Sequence, residues 1–270
     1  MAAREAVAGV LAPLLLAAII WLPPWVFLAV LGAAVVAAGW ELLTMALGSG
    51  AAVIRVPAAL TLAAALAAAW LAGPAGLLTA LVAAAVALPT VQLGHPERPA
   101  GGLTGAAVAL FAVTYLGTTG ACLGWLRTWA PAETGVRLIL LYLLVIWIGD
   151  SGAYYVGKTL GRHRMSPRIS PKKTWEGLAG GAAATFLAAA ALRAWFLPEL
   201  PWIHTLAVAA ILAVAAPVGD LVESQIKRDT GVKDSSGLLP GHGGLLDRTD
   251  SLVYAAPPVL GYLLLVGWIR

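Results

Sequence analysis

Cysteine occurs once in this chain, at Cys122 inside an apolar run. That excludes an internal disulfide and any metal centre built from cysteines. Charge is scarce too: Asp, Glu, Lys and Arg make up 11% of 270 residues, against roughly 25% in soluble domains. With 60% hydrophobic residues, the composition is that of a polytopic membrane protein. No stretch is polar enough for a separate soluble domain, and no internal repeat supports an inverted-repeat transporter. The formal charge of +4 does not point to nucleic acid, because the basic residues sit in short loops between apolar runs, where they set topology. No small-residue cleavage pattern ends the first apolar stretch, so a retained first helix is expected rather than a cleaved signal peptide.

What is abundant is apolar sequence in runs of about 20 residues, the length that spans a bilayer as a helix. Nine spans are predicted, at about 6–22, 24–47, 53–73, 75–93, 102–126, 137–157, 176–197, 203–226 and 251–269. The predicted fold class is an all-α polytopic membrane protein of about nine transmembrane helices. Pro23-Pro24, Gly73-Pro74, the stretch from Pro96 to Gly102, and that from Pro198 to Pro201 punctuate the runs. Residues 1–135 are mostly Ala, Leu and Val and read as lipid-facing or supporting helices. Residues 136–270 hold nearly everything reactive and read as the catalytic region.

Lys and Arg accumulate on the cytoplasmic face of membrane proteins. With nine spans, the side holding the N-terminus collects thirteen of the seventeen basic residues, and the other side keeps Arg127, Arg137, Arg193 and Arg270. The N-terminus and both long loops, about 158–175 and 227–250, are therefore predicted to be cytoplasmic. This places the polar, reactive segments of the C-terminal half at the cytoplasmic face of the membrane.

The densest polar segment runs from Gly219 to Asp250 and contains Asp220, Glu223, Asp229, Asp234, Asp247 and Asp250 with Lys227, Arg228, Lys233 and Arg248. Ionisable residues at membrane depth are expensive and mark function by default. Asp220, Glu223, Ser224 and Lys227 fall at i, i+3, i+4 and i+7, one face of a helix. A snorkelling helix end is the bland alternative for Lys227 and Glu223, but Asp220 lies about two turns inside. Asp247 and Asp250 share a face at i, i+3 where the next helix begins. Such a pair complements the helix dipole or holds a divalent cation, and hard oxygen ligands suit Mg²⁺.

Between these helix ends lies Pro240-Gly241-His242-Gly243-Gly244. Successive glycine amides can cradle phosphate oxygens, or can simply form a turn, with His242 an ordinary loop histidine. The other long loop carries Lys172-Lys173-Thr174 just before a helix opening at Glu176. That position suits phosphate binding near a helix N-terminus, while Arg162, Arg164 and Arg168 individually suit topology and anionic lipid. Asp150, within the sixth span, is a further acid in need of a partner.

These residues resemble a known family. Ser224-x-x-Lys227-Arg228, Lys233-Asp234, Pro240-Gly-His-Gly-Gly and Asp247-Arg248-Thr249-Asp250 are similar to the hallmark of phosphatidate cytidylyltransferases (CDP-diacylglycerol synthases). Asp150-Ser-Gly-Ala-Tyr and Ser170-Pro-Lys-Lys-Thr-Trp-Glu-Gly resemble the bacterial members. The likeness is specific over about 145–255 and compositional before it. It implies transfer of CMP from CTP to phosphatidic acid in a lipid bilayer, giving CDP-diacylglycerol and pyrophosphate. It also implies a metal centre at Asp220, Asp247 and Asp250, with Ser224 and Lys227 nearby as catalytic residues. Lys172, Lys173, Thr174, Arg228, Lys233, Asp234, His242, Gly243, Gly244 and Arg248 are the implied substrate contacts. The expected cofactors are Mg²⁺ and a second cation, for which a monovalent ion such as K⁺ is the candidate. A homodimer is the assembly the resemblance suggests.

Three rivals stand beside it. One is a cytidylyltransferase for another lipid phosphate. A CDP-alcohol phosphotransferase would need Asp-Gly-x-x-Ala-Arg followed by Gly-x-x-x-Asp-x-x-x-Asp, which is absent. An ion-coupled transporter would put its acids near the bilayer midplane, whereas these favour helix ends and loops.

Overall fold

The structure, a computed structural model, describes residues 13–48, 51–93, 102–237 and 243–269. Helix α1 covers 13–21 among the described residues. It is followed by α2 (Pro24–Leu47), α3 (Ala52–Leu93), α4 (Gly102–Thr128) and α5 (Ala132–Leu160). A short hairpin of β1 (Arg164–Ser166) and β2 (Ser170–Thr174) precedes α6 (Trp175–Phe196), α7 (Trp202–Asp229) and α8 (Leu246–Leu265). Among the described residues, six helices, α2 to α7, are long and apolar enough to cross a membrane. The fold is thus an all-α, multi-pass membrane bundle with one small hairpin attached.

Proline and glycine set the helix boundaries, as the sequence suggested. Pro23 caps α2 and Pro24 opens it, a position where the missing N–H costs nothing. Gly48 ends it at φ 75°, with its N–H on the Thr44 carbonyl at 3.0 Å. The runs predicted at 53–73 and 75–93 are continuous in α3 except at Gly73, where φ 65° and ψ −153° break the helix. A Cβ on Gly76 would lie 2.2 Å from the Ala68 carbonyl oxygen. Eight residues of straight helix would separate these sites by about 12 Å, so the chain folds sharply at Gly73-Pro74.

The hairpin was not foreseen; residues 158–175 were read only as a long, charge-rich connection. Ser166 pairs with Ser170, so Pro167, Arg168 and Ile169 form the turn, and proline's fixed φ favours one there. The hairpin leads directly into α6, where Thr174 Oγ1 accepts the Gly177 N–H at 3.1 Å as an N-cap. The Glu176 carboxylate takes the backbone N–H groups of Arg162 (3.1 Å) and His163 (3.2 Å), binding the end of α5 to the start of α6.

Helix α4 lies at the centre, touching α2, α3, α5 and α8. Its Trp125 indole donates to the Ala69 carbonyl at 3.1 Å. The Tyr142 hydroxyl, fully buried on α5, donates to the Leu252 carbonyl of α8. Helices α5 and α6 meet through glycines and alanines, the small-residue contact that substitutes for hydrophobic driving force within lipid. A Cβ on Gly180 would stand 2.5 Å from Val156 Cβ. Gly180→Ala is therefore expected to lower stability by about 1–3 kcal/mol through overpacking. Gly261→Ala, which meets open space, should be neutral or slightly stabilising; thermal midpoints in one detergent compare the two.

Candidate active site

The C-terminal end of α7, the first turn of α8, the hairpin and the loop after Asp229 converge on one end of the bundle. The stripe on α7 is present as the spacing predicted. The Ser224 hydroxyl donates to Asp220 Oδ1 at 3.2 Å, and Lys227 Nζ lies 2.6 Å from Glu223 Oε2. The same ammonium reaches α8, 2.6 Å from Asp247 Oδ1. Side-chain exposures of 12% for Lys227, 3% for Glu223 and 8% for Asp247 make this a buried charge triad joining two helices.

Asp247 is fully engaged. Its Oδ2 accepts from the Ser235 N–H (3.0 Å), the Ser235 hydroxyl (3.0 Å) and the Gly244 N–H (2.8 Å). Gly243, at φ 76°, passes so close that a Cβ there would lie 2.6 Å from that oxygen. Asp250, one turn further along α8, is buried and faces α7. The contact is close because Gly219 has no side chain: a Cβ there would fall 2.6 Å from Tyr254 Cβ. One carboxylate oxygen each from Asp220, Glu223 and Asp250 lie within 4.8 Å of one another. The tight acidic group therefore contains Glu223, to which Lys227 joins Asp247.

Three carboxylates at that spacing repel strongly unless cations intervene. Lys227 contacts Glu223, and Lys173 contacts Asp220 Oδ2 at 2.7 Å. Glu223 Oε1 is buried with no hydrogen-bond partner among the described residues. A buried acceptor left without a donor is costly. An oxygen-only donor set with an unsatisfied carboxylate oxygen suits a hard divalent cation.

The remaining predicted residues divide by position. Lys173 reaches from β2 to α7, donating to the Pro217 carbonyl at 3.3 Å as well as pairing with Asp220. Lys172, one residue earlier, is exposed. The Thr174 hydroxyl, buried, caps α6. The Arg228 guanidinium donates to the Ile169 carbonyl (3.2 Å) and the Val232 carbonyl (3.4 Å), tying the hairpin turn to the end of α7. Lys233, Asp234 and Arg248 are exposed around the cluster. His242 lies outside the described residues. Asp150 lines a small cavity between α5, α6 and α7 beside Pro217.

Glu41 on α2 escaped the sequence reading. Buried at 5% exposure, it accepts from the Ser235 and Ser236 hydroxyls (2.9 and 2.6 Å). It also accepts from the Leu245 and Leu246 N–H groups (3.0 and 2.9 Å). The available signal was its isolation, as the sole acid in the apolar run 24–47.

A family model described as the cytidylyltransferase family matches residues 2–266. The chain belongs to the cytidylyltransferase family. It is 47% identical over 146 residues to a phosphatidate cytidylyltransferase of Synechocystis sp., covering 53% of this chain and 49% of that protein. A phosphatidate cytidylyltransferase of Bacillus subtilis is 46% identical over 125 residues, 46% of each chain. One of Staphylococcus aureus is 40% identical over 152 residues, 56% of each. The chain thus spans about half the length of the curated relatives it matches.

Whatever this cytidylyltransferase-family site binds, Lys227 holds its two helices together. Lys227→Met would strand Glu223 and Asp247 as buried carboxylates, at an expected cost of about 3–5 kcal/mol. Lys172→Met, on the exposed side of β2, should change stability by less than about 0.5 kcal/mol. Thermal unfolding of both variants in the same detergent checks the contrast.

Proposed function

We propose that this protein transfers CMP from CTP to phosphatidic acid, forming CDP-diacylglycerol and releasing pyrophosphate. The observation that carries this reading is the acidic group of Asp220, Glu223 and Asp250, flanked by Lys173 and Lys227, at one end of an apolar bundle. A reaction between two highly anionic phosphates needs cations held at fixed positions beside a lipid-accessible surface. The family and the names of its relatives agree with that chemistry.

In the proposed reaction, an oxygen of the lipid phosphate attacks the α-phosphorus of CTP. The bond from that phosphorus to the bridging oxygen of the β-phosphate breaks, and pyrophosphate leaves. A phosphate monoester loses its second proton near pH 6, so the nucleophile is already ionised and no general base is assigned. Asp220 and Asp250 would hold Mg²⁺, with Glu223 the third carboxylate in reach. Asp247 stays in the proposed set beyond Lys227, whose ammonium takes a cation position between Asp247 and Glu223. A second, monovalent cation such as K⁺ belongs to the same reading. Bound Mg²⁺ would offset phosphate charge and stabilise the leaving pyrophosphate. Lys173 is positioned to meet phosphate oxygens beside Asp220, and Ser224 to orient that carboxylate.

The topology proposed with it has nine crossings, with α3 counted as two, 52–72 and 74–93, each about 20 residues long as a bilayer requires. This puts the hairpin and the loop after α7 on the cytoplasmic side of an inner membrane, where CTP is available.

Purified protein in detergent, given CTP, phosphatidic acid and Mg²⁺, should form CDP-diacylglycerol and pyrophosphate in equal amounts. Asp250→Asn is expected to reduce turnover on the order of 100-fold or more, as for loss of one preorganised electrostatic group. No lipid product from folded protein that binds CTP would sink the assignment.

A further inference from the structure

We propose that Glu41 is a positioning residue, reaching from α2 to fix the loop before α8 and, through Ser235, the carboxylate of Asp247; its consequence for turnover rests on the proposed reaction. Glu41 belongs to the half of the chain without other site residues, yet the four hydrogen-bond donors it meets among the described residues all lie within 235–246. A carboxylate buried at membrane depth is retained only where donors compensate it. Here the compensation falls on the segment that carries Asp247.

Two links run from Glu41 to the acidic site. The first is Ser235, whose hydroxyl lies 2.9 Å from Glu41 Oε2 and 3.0 Å from Asp247 Oδ2. That hydroxyl has one proton, so it can serve only one carboxylate at a time and couples their positions. The second is the start of α8. Its cap residue, Leu245, offers no side-chain acceptor, and the N–H groups of Leu245 and Leu246 end on Glu41 instead. A carboxylate there satisfies N–H groups that the helix cannot, and it complements the positive end of the dipole. Fixing this first turn also fixes the direction of α8, and with it Asp250, one turn further on, against Asp220 and Glu223.

Gly244 makes the arrangement possible. A Cβ at that position would lie 1.9 Å from Ser235 Oγ and 2.3 Å from Glu41 Oε2. One glycine of the Gly-rich motif is thus required by the approach of Glu41, independently of any phosphate.

The test uses the full chain in detergent as wild type, Glu41→Gln and Glu41→Asp. Glutamine keeps the shape but turns an NH₂ toward donors, so at least one backbone N–H loses its acceptor. Hydrogen–deuterium exchange of metal-free protein should show faster exchange at Ser235, Leu245 and Leu246 in Glu41→Gln, with α4 and α5 unchanged. Mn²⁺ alone, followed by electron paramagnetic resonance, should bind about 10- to 100-fold more weakly, the usual effect of losing an outer partner of a metal site. Glu41→Asp should recover part of that loss. Adding Ser235→Ala to Glu41→Gln should weaken Mn²⁺ binding less than the two single effects together, because both act through one contact.

Wild-type exchange and Mn²⁺ affinity in Glu41→Gln would overturn the positioning role. Loss of protection throughout the bundle would also overturn it, by making Glu41 a general stability element. A wild-type protein that shows the Mn²⁺ dependence but forms no CDP-diacylglycerol would sink the proposed reaction and leave the positioning role intact.

Discussion

The ammonium of Lys227 is the constraint on which the rest of the site depends. It lies 2.6 Å from Glu223 on its own helix and 2.6 Å from Asp247 on the next, with all three side chains withdrawn from solvent. An ion pair within one helix would add only a few tenths of a kcal/mol. A buried cation shared between two helices is different, because α7 cannot leave α8 without exposing unbalanced charge to a low-dielectric interior. The missing side chain at Gly219 allows the backbones close enough for that contact. The Tyr142 hydroxyl on the Leu252 carbonyl ties α8 to α5 from the other side. The stiffness of the site thus comes from polar contacts between helices, within a bundle whose apolar surfaces have little reason to prefer each other over lipid.

Much of this was legible in the sequence, for a physical reason. A helix at membrane depth must satisfy its own backbone, so its limits follow from where the apolar run stops and where proline or glycine interrupts it. Pro24–Leu47 agrees with its predicted span at both ends, and Gly73-Pro74 breaks α3 as expected. The stripe of Asp220, Glu223, Ser224 and Lys227 was legible because helical spacing alone puts those residues on one face. The hairpin at 164–174 was not, since its strands are short, polar and without hydrophobic alternation. Nor could spacing reveal which acids converge. Asp247 and Asp250 share a helix face, yet one meets Lys227 and the other faces Asp220 and Glu223. That separation depends on how α8 crosses α7, which no local pattern encodes.

Glu41 marks the limit of local reasoning most sharply. It meets Ser235 across 194 positions, and nothing near it in the sequence suggests a partner. Only the general rule that an isolated acid in an apolar run needs compensation could have singled it out. Similarly, Gly243 and Gly244 invited a reading as a phosphate cradle. In the folded chain they first of all make room for carboxylates: Gly243 for Asp247 and Gly244 for Glu41. The two uses compete at Gly244, whose N–H is taken by Asp247 at 2.8 Å and is not free for phosphate.

These contacts bear on why a site at one end of the bundle needs the apolar half at all. Residues 1–135 differ from the remainder in composition, but they do not form a separate unit at the site. Glu41 comes from α2, and central α4 touches both α5 and α8. A group of carboxylates tends to spread by mutual repulsion and to pull the helices carrying it apart. Two lysines oppose that locally, while Glu41 and α4 oppose it by fixing where α8 begins and what lies behind it. The acids are kept close enough for a cation to be shared among them because the scaffold resists their separation. A site of this kind can therefore be lost by substitution at α2 as surely as at an acid, without any change in the motif that identifies it.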